Sequence, residues 1–330
     1  MRLVFFSFKH RYRKKDLNNF LNSRIYGKYF VLNLGGPLKY LIAKLLLFLK
    51  IGKTISCDGR PVIQNKSMGI NFWLRGTTLN IPNELKNLNN NFVHLDNPLL
   101  KEKKVFQIYP INIKKTHIQK DPKIIYISRV NIETNPEEKN IWEEYKNELI
   151  ANFSLIDNKN FWMNIFRKDS TEIKKFNLYK KIKLLLRFEI IKNLKKTFDK
   201  KINIVGDDWK LLSFDTYSSN YNMRQIKKLY AGNICLDLGS MLGSLSLYSR
   251  SNLIIESGGL IIQNLQSDSE KIWGELSDKI LFNNLSNLTT LIEKLLNNNQ
   301  YCSILLEEIY ENFKDSNKSI EKSLDNIFYS

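Results

Sequence analysis

Cysteine is scarce in this 330-residue chain: Cys57, Cys235 and Cys302 stand far apart, and none belongs to a CxxC or CxxH pair. That argues against a disulfide framework and a structural zinc site, and it suits a reducing cytosol. Acidic residues are also in deficit, with 33 Asp and Glu against 51 Lys and Arg, a net charge of +18. No apolar run is long enough to span a bilayer. The longest, residues 37–51 (PLKYLIAKLLLFLKI), is interrupted by Lys39, Lys44 and Lys50. It reads as a helix with a broad apolar face, expected to be buried, with a membrane interface as the alternative. Residues 3–8 are apolar but precede Lys9-His10-Arg11, the reverse of a secretory signal.

What is present is a globular composition, 43% hydrophobic, which excludes a disordered chain. The positive charge concentrates early. Residues 1–60 hold 13 Lys and Arg and 2 Asp, a net +11. Such a region attracts polyanions: nucleic acid, an anionic membrane surface or phosphorylated substrates. The abundance of Lys, Asn and Ile offers a second source of that charge, compositional drift.

Strand-like and helix-like stretches alternate, which predicts an α/β fold with mainly parallel sheets. Strands are expected at 2–8, 29–34, 54–56, 70–74, 92–95 and 105–109, with a short helix at 16–23. Residues 110–122 (PINIKKTHIQKDP) are polar and basic and read as a linker. Beyond it, strands are expected at 123–128, 201–205, 233–238, 260–263 and 279–282. Helices are expected at 137–152, 161–167, 171–182, 183–197, 224–230, 248–257, 288–297 and 303–314. The chain therefore divides into two α/β units, 1–118, which is short, and 119–316, followed by a tail at 317–330. Ligands of such folds bind beyond the carboxyl ends of strands, here in the cleft between the units.

Ile234-Cys235-Leu236-Asp237, followed by Gly239 and Gly243, is similar to the first motif of S-adenosylmethionine methyltransferases. Two features argue against that reading. Met241 occupies the place of a middle glycine, and only 87 residues follow Gly243, too few for the rest of a seven-stranded sheet.

From Asn203 onward the order of motifs resembles the C-terminal domain of GT-B glycosyltransferases. The likeness is to the group-1, family-4-like enzymes and the related spore-maturation type. The motifs are Gly206-Asp207-Asp208-Trp209, then Leu229-Tyr230 leading to Asn233–Asp237, then Arg250 to Gly258-Gly259, and a closing stretch over 280–298. The resemblance implies an α/β GT-B fold, two Rossmann-like domains facing each other across a cleft. It implies transfer of a sugar from a UDP- or GDP-linked nucleotide-sugar to a glycan or lipid-linked acceptor in surface polysaccharide or lipopolysaccharide synthesis. Such enzymes need no metal or other cofactor, and the chain shows no metal-ligand cluster. The cytoplasmic face of a membrane would be the place of action, with no nucleic acid partner.

The residues suit a diphosphate. Gly239, Ser240, Gly243 and Ser244 form a small-residue loop whose N–H groups can face an anion. Arg250 opens the next helix, where a guanidinium can hold phosphate bidentately. Gly258 and Gly259 close it and allow the turn into the next strand, either beside the ligand or as a helix C-cap. Arg129, at the end of a strand, resembles the basic residue that meets the pyrophosphate in this superfamily. Trp209 reads as core in preference to a base-stacking platform. Many retaining members carry glutamates where this chain has Leu245 and Leu253; Glu256 is out of register by three residues, so the ribose contact does not carry over. Retention and inversion both stay compatible with the sequence, as does a catalytically degenerate scaffold. Histidines in the loops after strands, His10 and His94 (in FVHLDNP), are candidates for the base that deprotonates an acceptor hydroxyl. A basic non-enzymatic binding protein is the competing class, although no RRM, KH or helix-turn-helix pattern is present.

Overall fold

The short apolar stretches assemble into two six-stranded sheets, one in each of two units of the computed structural model. The units are Met1–Ile111 with Asp315–Ser330, and Asn112–Lys314. The structure describes 2–8, 24–26, 29–33, 45, 49, 53–57, 69–73, 93–94, 109–110, 113–128, 130–166, 172–212, 216–217, 222–239, 245–316, 321 and 324–325. The strand expected at 105–109 and the helix expected at 16–23 lie outside these residues, apart from Tyr109.

The first unit contains β1 (Arg2–Phe8), β2 (Arg24–Tyr26), β3 (Tyr29–Asn33), β4 (Lys53–Cys57), β5 (Gly69–Trp73) and β6 (Val93–His94), in the order β2-β3-β1-β4-β5-β6. Only β2 and β3 pair antiparallel; every other neighbour is parallel. Parallel neighbours require crossover connections, which is why strands alternate with longer segments. The chain's last residues belong to this unit: Tyr29 Oη donates to Asp325 at 2.5 Å, and Leu324 is fully buried. Leu324 and Asp325, within the segment expected as a tail, thus pack in this unit. Their place in the first unit is a long-range contact that local pattern does not encode.

The second unit contains β7 (Ile124–Ile127), β8 (Ile202–Val205), β9 (Thr216–Tyr217), β10 (Ile234–Asp237), β11 (Leu260–Asn264) and β12 (Leu281–Phe282). Their order is β12-β11-β10-β7-β8-β9, parallel throughout. Three strands run outward on each side of the boundary between β7 and β10. This is the doubly wound order, and that boundary is its topological switch point. Strands covered on both faces need apolar residues at every position. Accordingly β10 and β11 are buried at every residue. Each fully buried Ile or Leu contributes about 1.5–3 kcal/mol.

The helices of this unit are α1 (Pro136–Ala151), α2 (Lys159–Ile165), α3 (Glu172–Phe198), α4 (Met223–Tyr230), α5 (Ser249–Glu256), α6 (Ser269–Trp273), α7 (Ser277–Ile280), α8 (Leu285–Leu296) and α9 (Asn299–Phe313). The abundant asparagines have a structural use here. Asn135, Asn158, Asn222, Asn284 and Asn298 each accept a backbone N–H at the start of a helix. Asn135–Glu138 and Asn222–Gln225 complete reciprocal capping boxes. Helix α3 is one 27-residue element where the sequence suggests two. Lys183, where the second of those helices is expected to begin, lies buried inside the single helix against Asp157 and Tyr179. The strand expected over 279–282 is shortened, because α7 takes its first two residues.

The linker expectation for 110–122 also needs correction. Residues 113–122 form a strap bonded along the amino-terminal edge of the second sheet. Gln119 N–H donates to Gly232 O at 2.9 Å, Thr116 Oγ1 to Gly258 O at 2.7 Å, and Asn299 Nδ2 to Lys120 O at 3.0 Å. Gly258 has φ +71°, and a Cβ built there would lie 2.2 Å from Thr116 Oγ1. Steric overlap and left-handed backbone both oppose a side chain. Gly258→Ala should therefore cost about 2–4 kcal/mol. Chemical denaturation reads the loss, and adding Thr116→Gly should recover part of it by removing the clash.

Candidate functional site

Open parallel sheets bind ligands outside the carboxyl ends of the strands flanking the switch point. In the second unit these are the ends of β7 and β10. The side chain that organises the region is Asp237, the last residue of β10 and completely buried. Its Oδ1 accepts hydrogen bonds from Tyr248 Oη and from Gly239 N–H, and its Oδ2 accepts one from Gln263 Nε2 at 2.8 Å. Gln263 stands directly beside Asp237 in the parallel register of β10 and β11. Its Nε2 also donates to Ser246 O at 2.7 Å, and its Oε1 accepts from Trp273 Nε1 at 3.0 Å. A buried carboxylate is tolerable only when so matched. The network fixes both ends of the segment joining β10 to α5.

Cations surround this carboxylate. Arg187 of α3 donates from Nη2 to the carbonyls of Leu238 at 3.1 Å and Gly239 at 2.5 Å. Lys183, one helical turn earlier, bonds Asp157 and the Tyr179 hydroxyl, each at 3.0 Å. Burial pushes the Lys183 ammonium below its ordinary value, Asp157 opposes that, and Arg187 adds to it. Arg250 lies on the first turn of α5. Burial alone would lower its pKa, but Tyr248, Asp237, Tyr126 and Tyr230 outweigh that and raise it, so the guanidinium is firmly charged.

Among the described residues, five polar atoms near these strand ends are buried without a hydrogen-bond partner: Tyr126 Oη, Arg187 Nε, Arg250 Nη1, Asn264 Oδ1 and Gln266 Oε1. Orphans of this kind are rare in folded proteins, and a group of them marks a place where a ligand or water completes the bonding. Part of the Arg250 side chain reaches the surface even though its Nη1 is enclosed.

No protein-family model matches this chain, and no curated protein does. The site therefore rests on its own chemistry.

Of the residues singled out from sequence, Gly239 and Arg250 lie in this region. Gly239 has φ +77°, and a Cβ on it would press within 2.9 Å of Gln266 Nε2. Gly206 is at the carboxyl end of β8 with φ +150°, where a Cβ would lie 2.3 Å from Ser128 O. Its role is the close junction of β8 with the end of β7. Trp209 belongs to the same junction: it is buried, bonds Ser128 O from Nε1 at 3.0 Å, and lies edge-on to Tyr126. Arg129, Ser240 and His10 lie outside the described residues. His94 ends β6, at the edge of the first sheet, beside Trp73.

Glu256, Gly258 and Gly259 are placed elsewhere. Helix α5 runs from Ser249, beside Arg250 at the carboxyl edge, to Glu256 at the amino edge, eight residues and about 12 Å long. Glu256 pairs with Lys227 at 3.7 Å. Gly258 admits Thr116 of the strap, and Gly259 packs on Cys235 Sγ and the Tyr230 carbonyl. These three belong to the fold's amino-terminal edge, and a single cradle holding them together with Gly239 does not form.

The sequence reading missed Arg187, Tyr248, Gln263, Asn264 and Gln266. A signal for Arg187 was present. Tyr179, Lys183 and Arg187 follow at i, i+4, i+8 through a stretch rich in Ile and Leu, and charge on a buried stripe needs a partner. Among the described residues no group of three His, Cys, Asp or Glu converges as a metal site.

Tyr248→Phe should cost about 1–3 kcal/mol, since it removes a hydrogen bond to a charged group. It should also change the alkaline limb. Burial first, and Asp237 second, raise the Tyr248 pKa well above its ordinary value near 10. The unfolded chain therefore loses this proton first, and stability present below pH 10 falls as pH rises above it. Urea midpoints between pH 8 and 11 should decline less steeply in the variant, with Tyr230, also raised by burial, keeping part of the slope.

Proposed function

We propose that the chain is a glycosyltransferase of GT-B type, its two units serving as the two domains. It moves a sugar from a nucleotide-diphosphate sugar to a glycan or lipid-linked acceptor. The observation that carries the reading is Arg250, a firmly charged arginine with an unsatisfied buried Nη1, at the switch point beside Asp237 and Gly239. A diphosphate supplies the oxygens such a guanidinium lacks.

In this reading the chemistry is modest. The sugar–phosphate bond breaks as the acceptor oxygen attacks the anomeric carbon, and negative charge builds on the leaving diphosphate. Arg250 stabilises that charge in a place largely closed to water, where each interaction is strong. Arg187 holds the carbonyls of Leu238 and Gly239 and so sets the backbone against which the phosphates rest. His94 or His10 takes the acceptor proton.

Lipid-linked acceptors would bring the enzyme to an anionic membrane surface from the cytoplasmic side. Leu45 and Leu49, one turn apart and joined by a 3.0 Å backbone hydrogen bond, are 59% and 55% exposed, against the burial expected for residues 37–51. Lys44 and Lys50 adjoin them in sequence. Exposed leucines beside lysines suit an interface helix. Among the described residues no helix is long and apolar enough to cross a membrane.

Arg250→Ala should weaken binding of UDP- or GDP-sugars roughly 10- to 100-fold by titration calorimetry, the loss of one or two charge-assisted bonds. Unchanged affinity removes the proposed site. For the membrane arm, the protein should sediment with phosphatidylglycerol vesicles and not with phosphatidylcholine, and Leu45→Ser with Leu49→Ser should reduce this severalfold. Steeply salt-dependent binding of single-stranded RNA, with no nucleotide-sugar binding, would instead favour a non-enzymatic basic protein.

A further inference from the structure

The orphaned polar atoms around the switch point are not of one kind. Arg187 Nε, Arg250 Nη1 and Tyr126 Oη can donate a hydrogen. Asn264 Oδ1 and Gln266 Oε1 can only accept. The acceptors sit on the β11 side. Asn264 is the last residue of that strand, and Gln266 follows two residues on, against Gly239. Both side chains are more than nine-tenths buried, at 5% and 6% exposure.

The direction of the Gln266 amide is fixed by its surroundings. Its Nε2 donates to the carbonyls of Asn264 at 3.1 Å and Leu265 at 3.0 Å, so the oxygen is the atom left over. Two enclosed amide oxygens require O–H or N–H groups, and an anion brings neither. A bare diphosphate would satisfy the arginines and leave these oxygens unmet. A neutral polyol would do the reverse. A sugar carried on a diphosphate meets both sets.

We propose that Asn264 and Gln266 form the hydroxyl-reading end of the site, accepting hydrogen bonds from the sugar of a nucleotide-sugar and deciding which sugar is held. This rests on the glycosyltransferase reading and adds the part of the ligand that the arginines do not recognise. A site that hydrogen-bonds a hydroxyl rejects analogues lacking it far more strongly than an apolar pocket rejects a methylene.

Asn264→Leu is the decisive variant, because among the described residues no hydrogen bond is lost with this side chain. UDP, GDP, UDP-glucose, UDP-galactose, UDP-N-acetylglucosamine and GDP-mannose are titrated into the wild type and the variant, with melting curves confirming the fold. The expected result is unchanged affinity for UDP or GDP and a five-fold or greater loss for the preferred sugar conjugate. Asn264→Asp, which keeps an acceptor oxygen in the same place, should stay closer to the wild-type ratio of conjugate to free nucleotide. An unchanged ratio in Asn264→Leu overturns the inference, as does an equal loss for free nucleotide and conjugate, which would assign the residue to the nucleotide. If Arg250→Ala weakens all ligands while Asn264→Leu leaves the ratio intact, the glycosyltransferase reading stands and this inference alone fails. If the wild type binds none of the six, both fall.

Discussion

A buried carboxylate governs the second unit. Asp237 closes the central strand with no access to water, and every neighbour within reach supplies a compensating group: a tyrosine hydroxyl, a glutamine amide, a backbone N–H. A charge in that position would be prohibitive if any of these were missing. Its demands settle where β10 ends, how the chain turns at Gly239 and where α5 starts. Residues far apart in sequence are tied to it for the same reason. Arg187 reaches the carbonyls just beyond the strand, and Trp273 holds the glutamine that holds the aspartate.

The sheet order gives this arrangement its place. With β10 and β7 adjacent and their neighbours running outward in opposite directions, the ends of these strands open away from the connections. Polar groups left over there do not clash with the fold's own bonding. The unpartnered donors belong to β7, α3 and α5, and the unpartnered acceptors to the end of β11 and just beyond it.

Much of the architecture was legible in the sequence, and the reason is physical. Fully covered parallel strands must be apolar at consecutive positions, so β7, β8, β10 and β11 stand out as short runs rich in Ile and Leu, the last three closed by Gly206, Asp237 and Asn264. Strands β2 and β9 did not, since two or three residues paired at an edge carry no pattern of their own. The site was half legible. Gly239 and Arg250 were singled out from local motif and lie in the candidate region, whereas Gly258 and Gly259 stand at the opposite edge, where close packing by Thr116 and Cys235 requires glycine as strictly as a ligand would. Lys183 and Arg187 were hidden in the opposite way. Charged residues on a long helix read as solvent-facing until Asp157 and the Gly239 carbonyl are known to face them.

The strap at 113–122 bears on how separable the two units are. It is drawn toward the amino-terminal edge by bonds to Gly232 and Gly258, both in left-handed conformations that leave room for it. A fragment begun at residue 119, where the polar composition of this stretch invites a cut, would discard Thr116 and His117 and uncover those turns. A fragment begun at residue 112 would retain them. The boundary that matters for modularity is therefore the start of the strap, and the basic, hydrophilic segment that looks like a joint is part of the body it appears to leave.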